Sequence, residues 1–106
     1  MVNSRRKGKE GELALAKILR ERGYDARRGQ QFKGGADSPD VIGLPGIHIE
    51  CKRVERLDLA AAYEQSFRDA ADGEIAAVFH KKNREPWMVT VSLEDFFKLY
   101  EKKAEF

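Results

Sequence analysis

Apolar positions along the chain follow two periods, and the switches between them mark the elements. Over residues 10–22, Leu13, Leu15, Ala16, Ile18 and Leu19 recur at helical spacing among charges, and Gly23 follows as a C-terminal cap. A short strand is expected at 24–28, and the polar stretch 29–39, with Gly34-Gly35, reads as a loop. Residues 40–44 and 47–54 read as two strands folded back at Pro45-Gly46, a turn pair. The alanine-rich segment 57–72 is expected to be helical, with Leu59, Tyr63, Phe67 and Ala70 along its apolar stripe and Gly73 as its cap. Residues 74–80 contain the unbroken run Ile75-Ala76-Ala77-Val78-Phe79, the pattern of a strand buried on both faces. A charged turn at 81–86 leads to a strand at 87–91. Ser92 and Asp95 then resemble a capping box opening a last helix, whose apolar face is Phe96, Phe97, Leu99 and Tyr100. These aromatics are expected in the core, with any leftover stripe available to a dimer interface.

The expected fold is α/β in the α+β sense: α-β-β-β-α-β-β-α, a central mixed sheet flanked by helices. Without a repeat, linker or low-complexity tract, residues 1–106 are expected to form one domain, with residues 1–8 as a flexible basic arm. At 106 residues, with 42% hydrophobic and 36% charged, the chain can build one core and is too apolar for a disordered tail. No run approaches the roughly 18 apolar residues of a membrane span, so no membrane partner is expected. The basic N-terminus has no apolar run behind it, unlike a signal peptide. The one cysteine, Cys51, excludes an internal disulfide framework and a cysteine-rich zinc site, and fits a reducing, cytoplasmic setting. It is expected to be a small buried side chain and not a nucleophile.

The formal net charge is only +2, but the cations are clustered. Arg5, Arg6, Lys7 and Lys9 form one unopposed group, Arg27, Arg28 and Lys33 a second, and Lys81, Lys82 and Arg84 a third ahead of Glu85. Such basic segments on a nearly neutral chain suit a local anionic partner, although a single charge run is more often a solvated face.

Carboxylates on faces that should be apolar are more informative. With Leu13 at zero and about 100° per residue, Ile18, Leu15, Leu19 and Ala16 fall at about 140°, 200°, 240° and 300°, and Glu12 at about 260°. Glu12 thus lies inside the apolar stripe, either answering the positive end of the helix or requiring a cation, a metal or a hydrogen-bond network. In the strand beginning at Ile47, the residues Ile47, Ile49 and Cys51 share one face and His48, Glu50 and Lys52 the other. On an edge strand Glu50 and Lys52 would be an ordinary ion pair worth little. The tight turn, however, folds Asp40 back toward Glu50. Two neighbouring carboxylates repel unless a divalent cation lies between them, and an oxygen-only donor set favours Mg2+ or Mn2+ over zinc. A lysine on the same face can bind a scissile phosphate or orient an attacking water. Metal, lysine and basic loops together describe phosphodiester hydrolysis.

Ser38-Pro39-Asp40-Val41-Ile42-Gly43 followed by Ile49-Glu50-Cys51-Lys52 resembles the PD-(D/E)XK nuclease motif. With Arg6-Lys7-Gly8-Lys9-Glu10-Gly11-Glu12-Leu13 ahead of it, the chain is similar to archaeal-type Holliday junction resolvases and their phage or prophage relatives. The resemblance covers the first half by motif and the rest by order of elements, and it implies a restriction-endonuclease-like fold. It further implies that Asp40 and Glu50 bind the metal, with the Cys51 backbone carbonyl as a further ligand and Glu12 joining directly or through water. Lys52 would act at the phosphate and the nucleophilic water. Arg5, Arg6, Lys7, Lys9, Arg27, Arg28 and Lys33 would contact DNA, with Ser38 substituting for a serine that some resolvases place after the first strand. Cleavage would leave a 5′-phosphate, on branched or four-way DNA bound by a homodimer. Tyr63 and Gln65 lack the Gln-x-x-x-Tyr spacing of exonuclease-like relatives. The competing readings are a nicking, restriction-type or repair nuclease on the same fold, and a catalytically inert DNA-binding module.

Overall fold

The computed structural model describes residues 4–29 and 38–104. Its elements are α1 (Ser4–Glu21), β1 (Arg27–Arg28), β2 (Val41–Ile42), β3 (Ile47–Arg53), α2 (Leu59–Asp69), β4 (Ile75–Lys81), β5 (Met88–Thr90) and α3 (Leu93–Ala104). Their order is that expected from the sequence. The strands form one sheet in the order β1-β2-β3-β4-β5, with β3 and β4 parallel and the other pairs antiparallel.

α1 begins at Ser4, six residues before the expected start at Glu10, so the helix takes in residues 4–8 of the expected basic arm, whose residues 1–3 lie outside the described residues. Arginine and lysine are good helix formers, and Arg6 donates to Glu10 one turn on at 3.2 Å. At the other end Gly23 adopts φ 96°, and Tyr24 N–H reaches Leu19 O at 3.1 Å, closing the helix as a Schellman cap. Leu15, Ala16 and Leu19 are buried against Ile49, Cys51 and Val41, whereas Leu13 and Ile18 are exposed. The buried stripe is therefore centred on Glu12's own direction along the helix. Gly11 lets α1 approach β3: a Cβ there would stand 2.8 Å from Arg53 Cβ.

β1 and β2 are shorter than expected, because Gly43 turns away from the ladder at φ 123°. β2 pairs with β3 at Val41 opposite Ile49, and beyond Asp40, whose N–H bonds Ile49 O at 2.9 Å, β3 runs on to Arg53 with β4 as its strand neighbour. That open flank matters for the site.

On the other face of β3 lies α2, which starts at Leu59 because Asp58 Oδ1 accepts from Ala61 N–H at 3.1 Å. Its buried residues are Ala62 and Ser66, a correction to the expected stripe; Phe67 is 65% exposed and stacks on Tyr63. Small side chains allow close approach, and Ser66 Oγ donates toward the carbonyls of His48 and Ala77. β4 is buried from Ala76 to Phe79.

α3 is capped as expected, with Asp95 N–H donating to Ser92 Oγ at 3.0 Å. Its aromatic face does not join the core. Phe96, Phe97, Leu99 and Tyr100 are all exposed, and the helix makes only slight contact with the other elements. Periodicity showed an apolar face but not whether the chain's own fold covers it. Among the described residues no helix is long and apolar enough to cross a membrane.

Candidate active site

Glu12, Asp40, Glu50 and Lys52 line a single cleft of about 440 Å³, together with Lys7 and Gln65. It opens where β3 outruns β2, so groups from α1, the start of β2, β3 and α2 converge there. Asp40 lies one residue beyond the Val41–Ile49 pair, which sets it opposite Glu50. Hydrogen bonds on both sides position it: Asp40 N–H donates to Ile49 O at 2.9 Å, Cys51 N–H donates to Asp40 Oδ2 at 2.8 Å, and Gly29 N–H donates to Asp40 O at 2.8 Å. The bond from residue 29 requires glycine, because a Cβ there would meet the Pro39 carbonyl oxygen.

Both carboxylates are buried, Asp40 at 9% exposure and Glu50 at 3%. Burial pushes the Glu50 carboxyl up to about 7, the negative charge of Asp40 pushes the same way, and Lys52 opposes it. Asp40 is also raised, chiefly by burial, against the Cys51 N–H bond that favours its charged form. Lys52 Nζ stands 3.5 Å from Glu50 Oε2. The Cys51 thiol, pushed up to about 12 by burial and then by the surrounding carboxylates, is neutral at ordinary pH and is no nucleophile.

Glu12 is also mostly buried, with 14% of its side chain exposed, but it is paired with Arg28 Nε at 2.6 Å. Two residues assigned separate tasks from the sequence, one toward a metal and one toward DNA, thus hold each other. Among the described residues no three His, Cys, Asp or Glu side chains gather closely enough to hold an ion. What the cleft offers a cation is the Asp40–Glu50 pair, two hard oxygen donors whose burial and mutual repulsion a divalent charge would relieve. The donor set fits such an ion; the third carboxylate is turned to Arg28.

Of the residues expected to contact DNA, Lys7 lines the cleft, Arg6, Lys9 and Arg27 are exposed beside it in sequence, and Ser38 is half-buried ahead of Asp40. The Arg5 side chain and Lys33 lie outside the described residues. His48 is buried under α2 with Nδ1 3.8 Å from Glu74 Oε1, away from the cleft lining. His80 Nε2 is 2.9 Å from Thr90 Oγ1, and burial lowers its proton affinity. Gln65, which in the sequence stood out only for lacking an exonuclease-like spacing with Tyr63, lines the cleft from α2, three residues after buried Ala62.

A mixed five-stranded sheet with helices and an acidic pair followed by lysine defines a PD-(D/E)XK nuclease with the restriction-endonuclease-like fold. The family model of the archaeal Holliday junction resolvases (Hjc) matches residues 3–98, and the chain belongs to this family. It is accordingly a Holliday junction resolvase-like nuclease, an endodeoxyribonuclease whose substrate class is branched DNA. Among curated proteins and among solved structures nothing matches.

Proposed function

We propose that the protein is a Mg2+-dependent endonuclease that cuts phosphodiester bonds of four-way DNA as a homodimer, with Mn2+ able to serve in place of Mg2+. The observation that carries this reading is the burial of Asp40 and Glu50 side by side in an open cleft, with Lys52 3.5 Å from Glu50. Asp40, Glu50 and the Cys51 carbonyl are the groups that would hold the ion, and Glu12 would reach it directly or through water once Arg28 lets go. When bound, a divalent cation neutralises the carboxylate pair and polarises the scissile phosphate.

The chain's own residues supply the rest. Lys52 binds a non-bridging phosphate oxygen and orients the attacking water, and its charge offsets the negative charge that develops at phosphorus. Lys7, at the cleft rim, and Arg28, at its flank, take backbone phosphates, as do Arg6, Lys9 and Arg27 further out. Water adds to phosphorus, the bond to the 3′ oxygen breaks, and the 5′-phosphate is left on the downstream strand. The uncovered aromatic face of α3 is the surface that supports pairing with a second copy.

Incubation with four-way junction, flap, linear duplex and single-stranded DNA in Mg2+ tests the reading. Preferential cutting of the junction is expected. Equal cutting of linear duplex would remove the junction preference and leave a nuclease of another specificity, and binding without cutting in any metal would leave an inert module.

A further inference from the structure

The cleft is not closed at the Lys52 end. It shares Lys52, Val54 and Gln65 with an adjoining cavity of about 300 Å³, which shares Arg56, Leu57 and Asp58 with a larger one of about 710 Å³. This in turn shares His80 and Lys82 with a cavity reaching Met88 on β5. The result is one continuous groove along the ends of β3, β4 and β5. Its floor carries Lys52, His80 and Met88 side by side in register. At about 4.8 Å per strand that row spans about 10 Å, close to three base-pair steps of about 3.4 Å.

The charges along the groove are sorted. Glu55 accepts from Asn83 N–H at 2.7 Å and Asp58 caps α2, so both carboxylates keep their charge but are turned to backbone amides and not to the groove's cations. Arg56 and Lys82, both exposed, have no carboxylate partner among the described residues. Glu85 stands only at the far end. Lys81 and Lys82 of the third basic cluster thereby line the same run of cavities as the active-site cleft.

We propose that this groove is a second DNA-backbone site, in which Arg56 and Lys82 hold the phosphates of a substrate arm beyond the cut position. The inference rests on the nuclease reading above and adds where the DNA runs after leaving the cleft. It requires no titration and no conformational change.

The test measures binding of a four-way junction with arms of about 15 base pairs, without divalent metal and across a salt series, for the wild type and the double variant Arg56→Ala/Lys82→Ala. The variant should bind more weakly, and the slope of log K against log salt should fall by about 2, one for each lost phosphate contact. The melting temperature should be unchanged, and Lys17→Ala, an exposed lysine on α1 away from the groove, should behave as wild type. Wild-type binding and slope in the double variant would overturn the groove, as would an equal loss in Lys17→Ala. Failure of the wild type to bind or cut any branched DNA would overturn the nuclease reading itself, and the groove with it.

Discussion

Arg28 Nε lies 2.6 Å from Glu12 Oε1, and the pair keeps a mostly buried carboxylate of α1 from facing Asp40 and Glu50 unpaired. Charge-assisted bonds of this length are strong, and the survivor of a broken one bears the cost of burial alone. Arg28→Ala should therefore destabilise the metal-free protein by about 1–3 kcal/mol. If Glu12 joins the cation once released, added Mg2+ should recover part of that loss, more than it stabilises the wild type. Thermal melting with and without Mg2+ checks this; a loss unaffected by the ion would show that Glu12 does not reach it.

The acidic pair predicts a pH dependence with a defined sign. Glu50 titrates at about 7 in the folded chain against 4.5 as its ordinary value. Between those limits the folded state holds a proton that the unfolded state has lost, so stability should decline as pH rises through that window and level off above it. A displacement of this size corresponds to about 3 kcal/mol as an upper bound, and the raised Asp40 acts in the same direction. Mg2+ favours the ionised pair and should flatten the decline. Melting curves from about pH 5 to about pH 8 with and without the ion read this directly; a metal-free protein that gains stability across the window would contradict the assignment.

Close approaches at glycine position the site. Gly29→Ala should destabilise by about 1–3 kcal/mol and slow cleavage, because its Cβ would displace the Pro39–Asp40 backbone. Gly8→Ala meets nothing within 4 Å and should stabilise α1 by up to about 1 kcal/mol. Opposite signs for two glycine substitutions, measured by urea denaturation, separate local clash from helix propensity.

On α3, Phe96 is 47% exposed, meets Phe97 edge to face and stacks on Tyr100. Phe96→Glu should cost the folded monomer little, since little packing is lost, while shifting the sedimentation coefficient from dimer to monomer. A dimer that persists at wild-type strength would place the pairing surface elsewhere.

The order of elements was legible because strands and helices bury side chains with different periods, and the turns at Gly23 and Pro45-Gly46 punctuated them. Glu12, Asp40, Glu50 and Lys52 were legible because charge on an apolar face is costly, so its presence asks for a reason. What stayed hidden depends on tertiary placement. The burial of Ala62 and Ser66 in place of Phe67 reflects how closely α2 lies on β3 and β4, which volume patterning along one helix does not encode. The exposure of Phe96 and Tyr100 depends on whether any element reaches α3. The union of Glu12 with Arg28, and of Arg56 with Lys82 along one groove, joins residues far apart in sequence.

The central claim is that Asp40 and Glu50 hold a divalent cation against the scissile phosphate, and it is tested most directly by measuring cleavage and affinity together in Asp40→Asn and Glu50→Gln. Each variant should lose Mg2+-dependent cutting of a four-way junction. Each should bind the same junction without metal at least as tightly as the wild type, because a negative charge facing the polyanion has been removed. Cleavage at wild-type rates in both variants would contradict the account.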